Sequence, residues 1–236
     1  MKVVTNTKFI KQNAKIGQYT SIGALVILVA GLFIFFKMPG KLAYSLGALL
    51  FGFFMLQLGT YYDNRWGRSP RPDEYIDKSL KGMGREYTIY HYVTAAAHLL
   101  VGPAGVWVLM PYFQSGVIVY EKKRWKIKGG GFIQSFLRLF KQENMGRPEI
   151  DTKAEMEATK RYLTKILPEG SEIPPINALL LFTSPKVELK IEEAPLPAII
   201  PQDLKIFLLE KSKEKPIGAL LLGGLLKALP KSEGEE

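Results

Sequence analysis

The sequence predicts an α/β (α+β) protein, with an N-terminal two-helix transmembrane hairpin followed by a domain built on a mixed central sheet. Three observations carry this prediction. Residues 16–36 and 42–62 are two 21-residue stretches without a formal charge, each about 30 Å long as a helix, the thickness of a bilayer's hydrocarbon core. From Tyr87 onward, short apolar or β-branched runs alternate with amphipathic ones, the pattern of strands mixed with helices. The composition of the 236 residues, 47% hydrophobic and 23% charged, excludes a wholly disordered chain and a polytopic transporter.

The first element is a basic tail, residues 1–15, with Lys2, Lys8, Lys11 and Lys15 and no acid. The hairpin follows over residues 16–62, its connector Lys37-Met-Pro-Gly-Lys41 reading as a tight turn. No A-x-A site follows the first apolar run and a second span comes at once, so an uncleaved anchor is expected. Four lysines precede the hairpin, and Arg65, Arg68, Arg71 and Lys78 follow it, against two in the connector. The positive-inside rule therefore places both termini, and the domain, on the cytoplasmic side of the cell membrane.

Residues 63–72 read as a polar linker rich in proline and arginine. Asp73–Met83 reads as a short helix, with Asp73, Glu74 and Asp77 on one helix where acids favour the dipole. Strands are expected over Tyr87–Val93, Ala97–Val101, Val106–Tyr112 and from Val117, the second and third joined by Gly102-Pro-Ala-Gly105. Phe132–Lys141 and Ile150–Leu167 read as amphipathic helices, the latter with Thr152 and Glu155 as a capping box. Gly129-Gly-Gly131 reads as a hinge. Strands over Ile176–Phe182 and Val187–Ile191 and a helix over Gln202–Lys211 complete the domain, 73–211. Residues 212–236 hold an apolar helix, Ile217–Leu229, too short to span a bilayer, and an acidic tail.

Chemistry is bounded by absences in the composition. With no cysteine, disulfides, thiol nucleophiles and Cys-ligated zinc are removed, and two histidines exclude a His-rich metal site. His91 and His98 read as core histidines, with a stacking role open for His91 between two tyrosines. The net charge of +10 is uneven: +6 over residues 1–62, +6 over 63–149 and −2 over 150–236. Its densest run is Lys122, Lys123, Arg124, Lys126 and Lys128 around Trp125. Such a run can hold single-stranded nucleic acid by phosphate contacts and base stacking. It can also rest on anionic lipid, or simply blunt an edge strand with charge.

The segment Ala97-HLLVGPAGVWVLMPYFQS-Gly116 resembles the core of the nuclease-related domain (NERD) family of the PD-(D/E)xK, restriction-endonuclease-like superfamily. The family core reads D-h-v-v-v-x-p-x-G-v-f-v-I-E-x-K, followed closely by S-G. Gly105 takes the family glycine, His98–Val101 the strand before it, the residues after Gly105 the next strand, and Ser115-Gly116 the closing turn. Arg124-Trp125 resembles the aromatic that often follows, and the resemblance extends over about residues 72–210. It implies a restriction-endonuclease-like fold and a site of two carboxylates and a lysine that binds Mg²⁺.

Carried over, the family's Asp falls on Ala97, its Glu on Met110 and its Lys on Tyr112, and a further Glu matches Glu74. None of the first three replacements can supply a hard oxygen ligand or a cation in the family's manner. The resemblance thus implies an inactive nuclease-like domain without metal or cofactor, a binding or scaffolding module at the cytoplasmic membrane face. Its partners would be membrane lipids, with nucleic acid or a membrane protein as further candidates. Two alternatives stay open: an active tethered nuclease with relocated acids such as Glu74, Glu86 or Glu121, and an accessory subunit of a membrane complex.

Overall fold

The computed structural model of the chain describes residues 1–128 and 145–231. The helix expected over Phe132–Lys141, the glycine hinge and the end of the acidic tail lie outside the described residues. The chain divides into two compact units: Thr7–Arg71, and Met1–Asn6 together with Pro72–Glu236.

The smaller unit is the helical hairpin. Helix α1 (Thr7–Lys37) and helix α2 (Leu42–Tyr62) are joined by a single tight turn at Pro39–Lys41. Both helices are long and apolar enough to cross a membrane. Their inward faces are small. Ile10, Gly17, Ala24 and Gly31 are the buried residues of α1, and Ser45, Gly52 and Gly59 those of α2, each series at intervals of seven. A seven-residue repeat keeps one seam facing the partner helix, and small residues there bring two backbones close. The approach is tight enough that a Cβ on Gly59 would stand 2.9 Å from the Ser21 backbone nitrogen. The Ser45 hydroxyl donates across the seam to the Gly31 carbonyl at 2.7 Å. Large apolar side chains such as Leu25, Val26, Phe51 and Phe54 are exposed around the outside.

The larger unit is a mixed α/β domain. Its main sheet has six strands in the order β1-β2-β3-β4-β7-β9. These are β1 (Lys2–Thr5), β2 (Thr88–His91), β3 (His98–Gly102), β4 (Gly105–Tyr112), β7 (Ile176–Phe182) and β9 (Ala198–Ile199). The β2–β3–β4 meander is antiparallel; β1 joins β2, and β7 joins β4, in parallel. A second sheet has the order β6-β5-β8, from β5 (Gly116–Glu121), β6 (Arg124–Lys128) and β8 (Val187–Lys190).

Alternation along the strands sorts the core into two layers. Ile89, Leu100, Trp107, Leu109 and Leu179 point to one face, under helix α3 (Pro72–Ser79) and helix α5 (Leu204–Glu214) through Ile76, Leu204 and Leu208. Tyr90, Leu99, Val101, Val106 and Val108 point to the other, under helix α4 (Pro148–Ile166) and helix α6 (Ala219–Ala228) through Leu163 and Leu225. This is the helix–sheet–helix layering that buries both faces of a sheet. Gly105, at φ +100°, closes the β3–β4 turn in a conformation that favours glycine.

Two expectations are revised, and a placement that the sequence leaves open among domain, membrane and partner is resolved. The basic tail is divided: Lys2–Thr5 pairs with Thr88–His91, and only from Thr7 does the hairpin begin. Val4, alternating inward, is buried in the second core layer, which offsets the ordering of so short a strand. The capping box is not formed, because Pro148 starts α4 earlier and leaves Thr152 buried inside the helix. The apolar segment near the C-terminus packs on the domain, with Leu225 and Leu229 buried in its core.

Candidate functional site

Ala97 and Met110, two of the positions singled out from the sequence, fall at the end of the β3–β4 ladder. Leu99 pairs with Val108; two residues beyond that pair, Met110 lies on β4 and Ala97 in the connection just before β3. Met110 is half-buried and packs with the second core layer, while Tyr112 stacks on Phe182 with ring centroids 5.6 Å apart. Glu74 belongs to α3, whose Ile76 packs on the opposite face of the sheet from Met110. The acid that does stand beside Ala97 is Glu155 of α4, whose carboxylate accepts from the Ala97 amide at 3.4 Å. Sequence reasoning assigned that glutamate to a cap; only the packing of α4 on the sheet reveals its place. Among the described residues, no group of three His, Cys, Asp or Glu side chains is arranged to hold a metal ion.

The basic run forms the β5–β6 hairpin. Glu121 pairs with Arg124 across a two-residue turn made by Lys122 and Lys123, at φ 52° and 59°. This is the type I′ arrangement, in which both central residues are left-handed and the turn matches the strand twist. Two lysines there cost roughly 1–2 kcal/mol each relative to an ordinary right-handed conformation. Beyond the turn, Arg124, Lys126 and Lys128 are exposed on one side of β6. Trp125 points the other way, 7% exposed, among Ile118, Phe182 and Tyr120. Its indole is core, and a base-stacking role for Trp125 does not fit this placement. Lys128 bridges to Glu121, and this contact holds the Glu121 carboxyl below the usual carboxylate range.

The structure also assembles a polar chain that the sequence shows only as separate residues. His91 and His98 are register partners on β2 and β3, and both are buried. Their Nδ1 atoms lie 2.8 Å apart. His91 Nε2 contacts Asp77 Oδ1 of α3 at 3.1 Å. The Tyr92 ring sits 4.9 Å from that of His98, and Tyr92 itself holds φ 58°, a conformation disfavoured for a bulky side chain. The Nδ1–Nδ1 contact requires one ring to donate and the other to accept. The histidines stand seven residues apart around a tight connection, a spacing that an antiparallel register converts into a pair.

No protein-family model, curated protein or solved structure matches the chain.

Proposed function

We propose that this protein is a membrane-anchored binding or scaffolding module, a nuclease-like frame without catalytic residues, that presents its cationic β5–β6 hairpin at the cytoplasmic face. The observation that carries the reading is the course of the chain. It begins as a strand of the domain's own sheet, leaves as two apolar helices, and returns as the rest of that sheet. A hairpin inserted in this way has both ends tied to one domain, which supports a common side for the N-terminus and the domain. The lysine and arginine distribution supports that side being cytoplasmic. Ala97, Met110 and Tyr112 offer neither carboxylate nor ammonium, which supports a role other than phosphodiester hydrolysis.

The test uses the absence of native cysteine. Gly40 lies in the hairpin turn with nothing within 4 Å of an added Cβ, so Gly40→Cys fits there. In intact cells, Gly40→Cys is expected to react with an impermeant maleimide, and Lys231→Cys only after permeabilisation. The reverse pattern overturns the orientation. Purified protein with Mg²⁺ or Mn²⁺ is expected to leave labelled DNA and RNA intact, and cleavage abolished by Glu74→Ala overturns the non-catalytic reading.

A further inference from the structure

We infer that the first two turns of α1 form a binding site for the headgroup of an anionic phospholipid. The inference rests on the membrane-anchored reading and names the lipid class that the anchor selects. Lys8, Lys11 and Lys15 follow one another at intervals of three and four residues, so their side chains share a face. With Thr7 and Gln12 they line an open depression of about 330 Å³. All five residues are exposed, and the first acid in the chain, Asp63, pairs its carboxylate with Arg68.

The face on which they stand is the one turned from α2. Lys8 and Lys15 each precede a seam residue, Ile10 and Gly17, by two positions, about 200° round the helix. Continued along α1, the same stripe passes through Tyr19, Ile22, Val26, Val29 and Phe33, between 53% and 70% exposed. The surface is therefore cationic for two turns, then aromatic, then aliphatic. From Ile22 to Phe33 is about 16 Å of helix, close to the depth of one bilayer leaflet. A phospholipid has the complementary order of a phosphate followed by acyl chains. Ammonium–phosphate contacts are charge-assisted, and a compact charge of three favours a headgroup with net negative charge over a zwitterionic one whose own cation would face the lysines. Inorganic phosphate shares the headgroup's chemistry but leaves the apolar stripe uncovered, so a lipid is the occupant that fits the whole surface.

The test is native mass spectrometry of the full chain released from micelles containing phosphatidylglycerol or phosphatidylcholine. Wild type is expected to retain phosphatidylglycerol at least tenfold over phosphatidylcholine. Lys8→Gln/Lys11→Gln/Lys15→Gln is expected to lose that preference, and Lys37→Gln/Lys41→Gln to keep it. Equal retention of the two lipids, an unchanged triple variant, or displacement of the lipid by millimolar inorganic phosphate overturns the site. A second measurement needs only the wild type. Trp66 lies 5.8 Å from Phe9, beside the lysine turns, while Trp107 and Trp125 are buried in the domain. Phosphatidylglycerol brominated near the headgroup is expected to quench tryptophan emission more strongly than phosphatidylcholine brominated alike; equal quenching overturns the proposal. Resistance of the same protein to alkaline extraction from membranes reads the anchor separately, so loss of lipid preference with retained insertion refutes the site and leaves the anchor standing.

Discussion

The contact between His91 and His98 holds a single proton between two buried rings, and Asp77 fixes the far nitrogen of the first. Removing either ring leaves its partner's nitrogen buried and unmatched, a loss of about 1–3 kcal/mol. His98→Phe is expected to show that loss in chemical denaturation of the purified protein, whereas Asp77→Asn, at the half-exposed end of the chain, is expected to cost less. Equal losses would show that the pair contributes nothing beyond packing. Tyr87 poses a different problem at the same scale. Its phenol is almost wholly buried and burial pushes its pKa above the usual value near 10. The folded state then holds the phenolic proton more tightly than the unfolded chain does. Its contribution to stability is complete below pH 10, and declines as pH rises from there toward the folded pKa. Tyr87→Phe is expected to reduce this alkaline decline, measured as the denaturation midpoint against pH. Neither feature is visible one residue at a time. Each histidine in the sequence reads as a core residue, and only the antiparallel register makes them a pair.

Elements show the same division between what pattern carries and what packing adds. Two uncharged 21-residue runs announce the helices of the hairpin without any structure. The seam between them is harder to see, because glycine, alanine and serine at seven-residue intervals are inconspicuous among leucines and phenylalanines. Its energetic weight is nonetheless high, since the closest contacts place Gly59 against the Ser21 backbone and Gly52 against Leu28. Gly59→Leu is expected to push the helices apart, with a cost of about 1–3 kcal/mol from overpacking. Cross-linking between cysteines placed at Gly23 and Met55, where an added Cβ on Gly23 makes an ordinary 3.4 Å contact with the Met55 side chain, would fall relative to the same pair in an otherwise wild-type chain. Gly47, with nothing within 4 Å of an added Cβ, is the control, and Gly47→Leu is expected to leave the cross-link unchanged. The β5–β6 hairpin illustrates the opposite case. Its charge was legible, but the inward turn of Trp125 follows from strand alternation and from the third core cluster, which the linear run conceals.

At the scale of the whole molecule, the mixed α/β class follows from the order of elements, and the meander from the Gly102–Gly105 turn. The way the chain is threaded does not. Lys2–Thr5 is four residues inside a basic segment, and its lysine and polar neighbours suit a tail as well as a strand. What makes it a strand is β2, buried along its whole length, whose outer edge would otherwise present unpaired backbone groups. The domain is therefore expected to depend on its first six residues even though the hairpin separates them from the rest. Val4→Asp places a carboxylate at a buried position and should lower the stability of the domain by several kcal/mol. A chain beginning at Pro72 is expected to aggregate through the bare β2 edge. A chain in which a long glycine-serine linker joins Asn6 to Pro72, replacing the hairpin, is expected to stay in aqueous solution as a folded monomer. Hydrogen exchange then distinguishes the outcomes: the amides of Ile89 and His91 should be protected in the linked chain and exposed in the truncated one. Equal protection in both would mean that β1 is an accessory to a domain already complete.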